Sequence, residues 1–150
     1  MGTINPPSTA MTIVCRIGSR FVALPMQTVV HTARFAELTP ASDVSAIVCG
    51  VVSVHSATVP VIDGRSLLGE PPGYDLGSYI LLAASDIDQP PEIGLLVDEV
   101  MSIHRVGADG LAPVDHIDGI SCGVIRDLPQ PALLLDVDEL FALAHGSARD

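Results

Sequence analysis

The stretch from Ile47 to Gly69, I-V-C-G-V-V-S-V-H-S-A-T-V-P-V-I-D-G-R-S-L-L-G, constrains the fold more than any other part of the chain. Two short runs rich in Val and Ile meet at a tight corner around His55-Ser56-Ala57, and a single helical turn then stops at Gly69. The pattern predicts a β-hairpin with strands over Gly50 to Val54 and Thr58 to Asp63. Pro60 lies inside the second strand. Proline has no N–H to give to a ladder, so it marks an edge strand or a bulge, and an edge is an available docking surface. On the first strand Val52 and Val54 share one face while Ser53 and His55 share the other, so His55 is expected to project outward near the corner.

Short strands with the same punctuation fill the rest of the chain. Thr12 to Ile17 alternates as a half-buried strand, Gly18-Ser19 turns into Arg20 to Leu24, Pro25 opens a helical turn through Thr28, and a strand follows over Val29 to Arg34. Phe35 to Ser45 reads as a connector. Ser78 to Ala84 and Ile93 to Val97 form a second antiparallel pair, and Met101 to Val106 is a further strand. Beyond a loop over Gly107 to Asp115, Gly119 to Arg126 and Ala132 to Leu135 make a last hairpin. Asp136 then caps a terminal helix running through Ala144, with Glu139 in the capping-box position.

These elements predict an all-β fold with a short C-terminal helix. Residues 1–11, with Asn5-Pro6-Pro7-Ser8, read as a loose leader, 12–146 as a single domain and 147–150 as a tail. The Pro71-Pro72-Gly73 break within 69–77 suggests a linker between two small sheets that share a core. Periodicity alone leaves sandwich and barrel open.

Charge and cysteine usage narrow the function classes. A net charge of -11, with 18 acidic residues against 7 Arg and Lys, repels nucleic-acid backbones and anionic membrane surfaces. No apolar run reaches the ~18 residues of a membrane span, so no direct membrane insertion is expected. The start lacks the features of a signal peptide, and Cys15, Cys49 and Cys122 lie apart in apolar segments, as reduced thiols do. These features point to the cytoplasm.

No chemistry-bearing constellation emerges. His31, His55, His104, His116 and His145 show no ligand spacing, so no metal or cofactor is expected. A nucleophile elbow and a glycine-rich phosphate loop are both lacking, which argues against an enzyme. Asp63 and Asp98 each end an apolar strand. A catalytic pair would require both in one cleft, whereas the simpler role is to close a strand by accepting backbone N–H groups. Asp86, Asp88, Asp136 and Asp138 lack the loop of a calcium site and read as turn and cap residues.

Three blocks in order resemble the CheW-like domain family: the hairpin Gly50-Val51-Val52 with Val59-Pro60-Val61-Ile62-Asp63, Arg65 and Leu67-Leu68-Gly69; Gly94-Leu95-Leu96-Val97-Asp98; and Leu134-Leu135-Asp136 before the last helix. Ala23-Leu24-Pro25-Met26 with Val29 adds a fourth match, and the likeness runs from about Thr12 to Ala144. It implies two small five-stranded Src-homology-3-like barrels packed on a shared core. It also implies a non-catalytic adaptor that couples chemoreceptors, the methyl-accepting chemotaxis proteins, to a CheA-type histidine kinase. In that family barrel edges meet the kinase's related regulatory domain, and a groove between barrels takes the cytoplasmic tip of the receptor. Val29, Gly50 and Gly94 fall where the family lines or shapes that groove.

Two positions depart from the family's pattern, as expected of a divergent paralogue. The family's Asn-Leu-Arg-Gly corner is Ser53-Val54-His55-Ser56 here, and the acidic residue two positions after the groove valine is His31. Arginine offers a fixed fork of donors and a permanent charge, so His55 makes a weaker contact to a carboxylate. The partner-binding set expected from the sequence is therefore Val29, His31, Gly50, His55, Pro60 and Gly94. A reading from another class, a module that senses a small molecule in an apolar groove, is motivated by the aliphatic surplus, with an ordinary packed core as the simpler account.

Overall fold

The computed structural model describes residues 11–40, 47–74, 77–85, 88–112 and 121–146. Among them are twelve strands: β1 (Met11–Ile17), β2 (Arg20–Pro25), β3 (Val29–Arg34), β4 (Thr39–Pro40), β5 (Val48–Val54), β6 (Ala57–Asp63), β7 (Tyr79–Ala83), β8 (Ile93–Val97), β9 (Glu99–Arg105), β10 (Leu111–Ala112), β11 (Ser121–Ile125) and β12 (Ala132–Leu135). Helix α1 (Gly64–Leu68) follows β6, α2 (Val137–Gly146) closes the described chain, and a 3-10 turn at Met26–Thr28 leads from β2 to β3. Met11, read as the last residue of the leader, begins β1, while residues 1–10, the tail 147–150, His116 and Asp86 lie outside the described residues.

The strands form two sheets, ordered β10-β11-β12-β2-β1-β9 and β3-β7-β8-β6-β5-β4. Each holds five substantial strands and one strand of only two residues, β10 or β4. The five expected per barrel are thus present with a short sixth. Each sheet mixes antiparallel neighbours with one parallel pair, β12 beside β2 and β6 beside β8.

Chain order divides the sheets differently from the sequence expectation. Pro71-Pro72 joins α1 to β7, and both flanking strands, β6 and β7, belong to the second sheet. The second sheet is one continuous insertion, β3 to β8, between β2 and β9 of the first. Chain passes between sheets at Met26–Thr28 and at Asp98, where the backbone shows no composition shift. A Pro-Gly cluster reports where the chain turns, not which sheet the next strand joins.

Three aliphatic clusters explain how so few aromatic residues suffice. One lies within the second sheet (Val52, Val59, Val61, Ile80, Leu82, Leu96) and one within the first (Val14, Ala23, Ile125, Ala132, Leu134). The largest sits between them and draws on both sheets and both helices, with Ile17, Leu24, Ile62, Leu67, Leu95, Leu135 and Leu140 among its members. The shared core is therefore a seam between the barrels, and the aliphatic surplus is packed as core. It also corrects the reading of β1 as half-buried. Val14 enters the first barrel while Cys15 and Ile17 enter the seam, so both faces are covered. Burial pushes the Cys15 thiol up to about 12, which keeps it protonated and unreactive.

Local chemistry sets the hairpin as its composition demands. His55 and Ser56 are the two corner residues, both left-handed at φ 49° and 72°, the geometry of a two-residue hairpin turn. His55 thus leaves the pleat that was expected to orient it, yet it is exposed all the same. Asp63 caps α1 by accepting from Arg65 N at 3.0 Å and Ser66 N at 3.3 Å, and Gly69 ends it at φ 72°. Asp136 accepts from Asp138 N at 2.9 Å and so caps α2.

Candidate docking surface

Five of the six positions selected from the sequence lie on strands of the second sheet and His55 on its β5–β6 turn, and four cross-strand steps tie three of them together. His31 on β3 pairs with Leu82 on β7, Leu82 with Gly94 on β8, Gly94 with Val61 on β6, and Val61 with Gly50 on β5. Pro40 on β4 completes the row opposite Gly50. Pro60 is one residue along β6, and Val29 lies beyond the irregular step at the start of β3. His55 is set apart at the hairpin tip.

The row contains two kinds of residue. Gly94 is buried, and a Cβ there would sit 2.9 Å from Ile80 Cγ2 and 3.1 Å from Val61 Cγ2. Gly50 is also buried, and a Cβ would strike the Thr39 carbonyl and approach Pro40 Cα at 3.0 Å. These glycines let strands and side chains approach closely, so they shape the surface from beneath. Val29 and His31 can touch a partner: His31 is exposed, and Val29 is half-buried against the central cluster, as is Ile13 on β1.

Pro60 differs from its expectation. β6 lies inside the sheet between β5 and β8, not at an edge. Pairing with β8 begins only at Val61, so Pro60 stands just before the parallel neighbour starts, where a missing N–H costs least. The actual edges are β3, β4, β9 and β10. Two of these are only two residues long, and the pairings of the other two each carry a register shift. Such edges resist ladder growth, which leaves side chains to make contacts.

One surface escaped the sequence reading. β9 was expected as a strand, but nothing in its alternation showed that all but one of its residues are exposed. Among the described residues three of the six exposed large hydrophobics, Val100, Met101 and Ile103, lie on it, and Ile103 at 54% is the most open. Ile103 pairs with Ile13, so this strip continues the seam margin onto the first sheet.

A polar cluster lies at the other end of the seam. Asp98 Oδ1 receives Arg65 Nη2 at 3.0 Å and Nε at 3.3 Å, while Asp98 Oδ2 accepts the Gly18 N–H. Arg65 Nη1 also donates to the Pro71 carbonyl at 2.7 Å, and its guanidinium lies 5.3 Å from the Tyr74 ring centre. Hydrogen bonding to Asp98 raises the Arg65 pKa further. The Tyr74 hydroxyl donates to Asp63 Oδ1 at 2.8 Å and accepts from Arg65 N, and burial raises its pKa well above the ordinary phenol range. Asp63 and Asp98 thus converge on one arginine, each spent on donors of the chain. This is the strand-closing role, extended from backbone to side chains.

His104 on β9 lies 2.8 Å from Asp127, whose other oxygen accepts the Gly107 N–H at 2.9 Å. The Gly107 N–H first, and His104 second, hold the Asp127 carboxyl below the ordinary carboxylate range. A lowered folded value means the contribution is present above the unfolded pKa of ~3.9 and is lost as pH falls through the folded value. The stability gap between wild type and Asp127→Asn is expected to hold at neutral pH and shrink below about pH 4. A gap that stays flat down to low pH in thermal melts would show that the carboxylate charge contributes nothing.

The sequence profile of the CheW-like domain matches residues 12–145. The chain belongs to the CheW-like domain family. Scaffolding protein TtCheW from Thermoanaerobacter tengcongensis, known from its crystal structure, matches with a TM-score of 0.74 over 85% of this chain and 89% of that one. At 17% identity that likeness speaks for the fold, two barrel-like halves, and agrees with the profile. No curated protein matches. Membership makes this CheW-like chain a non-catalytic adaptor of chemotaxis signalling. Among the described residues no helix is long and apolar enough to cross a membrane, and no group of three or more His, Cys, Asp and Glu is placed to hold a metal.

Proposed function

We propose that this chain links the cytoplasmic tip of a chemoreceptor to the regulatory domain of a CheA-type histidine kinase, working in the cytoplasm beside membrane receptor arrays. The family match over 12–145 carries the reading. The helical tip of the receptor is assigned to the seam margin, where Val29 and Ile13 pack on the central cluster beside exposed His31 and Ile103. Apolar side chains along a groove suit the apolar face of an amphipathic helix. The kinase domain is assigned to the hairpin of the second barrel, with His55 at its tip and Pro60 on β6, while Gly50 and Gly94 shape the receptor groove from beneath by letting the strands approach closely.

Titration of the purified chain with each partner fragment tests this. Both are expected to bind with a dissociation constant on the order of tens of micromolar or tighter, the range of transient signalling contacts. Binding of neither would end the adaptor reading. His55→Arg is expected to change affinity for the kinase domain or the receptor tip more than it changes Tm, because the His55 side chain is exposed. Equal binding by the two variants would remove His55 from the interface.

A further inference from the structure

The β1–β2 turn is held by carboxylates that arrive from outside it. Besides the Gly18 N–H bond to Asp98, the Ser19 N–H donates to Glu70 Oε1 at 3.0 Å. The Ser19 hydroxyl lies 3.2 and 3.1 Å from the two Glu70 oxygens, and Arg20 Nε lies 3.6 Å from Oε2. Gly18 is left-handed at φ 61°, a backbone geometry that favours glycine, and a Cβ on it would displace the Glu70 carboxylate from the turn. Glu70 follows α1 in the segment that builds the second sheet, and its side chain is only 13% exposed. The grip therefore joins one barrel to the other.

We propose that this carboxylate clasp positions the docking seam: by gripping the β1–β2 turn it fixes the angle between the barrels, and with it the width of the seam at the far end of β1. The proposal rests on the assignment of the receptor tip to that seam. β1 is the lever. It runs from Thr12 and Ile13 at the seam margin to Ile17 at the clasp, a span of roughly 20 Å for a seven-residue strand. The chain crosses between barrels at the two ends of this lever. One crossing is the Met26–Thr28 turn, beside Thr12 through its partner Pro25, and the other is Asp98, whose N–H bonds the Arg16 carbonyl at 2.9 Å. Among the described residues the first crossing shows one side-chain bond, from Thr28 Oγ1 to the Pro25 carbonyl at 2.7 Å, and one backbone bond to the second sheet's segment, from the Ala84 N–H to the Thr28 carbonyl at 2.9 Å. The second is locked by Asp98, Arg65 and Glu70. Glu70 and Ser19 are positioning residues that act on the seam through β1.

The test uses the full chain with Glu70→Ala, and Glu70→Gln as the variant that retains the side chain's size. Glu70→Ala is expected to weaken binding of a receptor-tip fragment by about fivefold, while affinity for the kinase regulatory domain, which docks on one barrel, stays within about twofold. Glu70→Gln, which keeps one acceptor oxygen for Ser19, is expected to fall between. Unchanged binding of both partners would overturn the proposal, and so would a parallel loss of both, which is what simple destabilisation produces. If the wild-type chain binds neither fragment, the adaptor reading falls by itself. Amide exchange then decides for the clasp: Glu70→Ala must speed exchange at Thr28 and Val29 relative to β7, and unchanged rates overturn it.

Discussion

Replacing Leu95 with alanine is expected to destabilise the protein by about 3 kcal/mol, because it opens a cavity in the cluster that both barrels share. Leu95 is 2% exposed on β8, and its neighbours in that cluster come from the first sheet, the second sheet and both helices. For a chain of this size the loss corresponds to a fall in Tm of roughly 10 °C. The cooperativity is as informative as the magnitude. Tyr74 and Tyr79 both belong to the second sheet's segment, so tyrosine fluorescence reports that barrel while far-ultraviolet dichroism reports both. If the seam unites the barrels, the two signals coincide in the wild type during denaturant unfolding. Separated transitions would mean that the barrels unfold independently and that the seam is an interface of little weight.

Asp98→Ala is the second large effect, with an expected loss of about 3 kcal/mol, comparable to breaking a buried ion pair from one side. The Asp98 side chain is 8% exposed and the Arg65 side chain 19%. Removing the carboxylate strands the guanidinium against Tyr74 and leaves the Gly18 N–H without its acceptor. The double variant Asp98→Ala with Arg65→Ala is expected to be less destabilised than the sum of its singles, since the second change removes the charge that the first abandoned. Additive losses in denaturant melts would show that Asp98 acts chiefly through Gly18, not through Arg65.

Much of the fold was legible because local chemistry and global placement agreed. The hairpin at His55-Ser56, the cap of α1 by Asp63 and the antiparallel β7–β8 pair follow from turn residues, capping side chains and apolar runs within a few positions of one another. What failed depended on neighbours distant in sequence. β1 reads as half-buried because Arg16 interrupts its pattern, yet the second barrel covers one face and the first barrel's own core the other. Pro60 signals an edge or a bulge, but β6 is internal and its irregular step lies opposite Cys49, so the proline marks only that β8 begins one residue later. Leu111–Ala112 forms a strand too short to leave any periodicity.

The candidate site divides in the same way. Val29, His31, Gly50 and Gly94 were selected by likeness to a family, and the sheet brings three of them onto one cross-strand row. That likeness did not distinguish the buried glycines, which act through close approach, from the exposed side chains that can meet a partner. The contact between Glu70 and the β1–β2 turn leaves little signature, since it joins Ser19 to a residue 51 positions away. Its one sequence trace is Gly18 at the turn, where a left-handed backbone is needed.

The adaptor account requires both partners on one molecule at the same time, on surfaces that do not overlap. Sedimentation of the full chain with a receptor-tip fragment and the kinase regulatory domain, alone and together, measures this directly. The account predicts a ternary species heavier than either binary complex, with the affinity for each partner retained when the other is saturating. Mutually exclusive binding, in which saturating receptor fragment displaces the kinase domain, would contradict it.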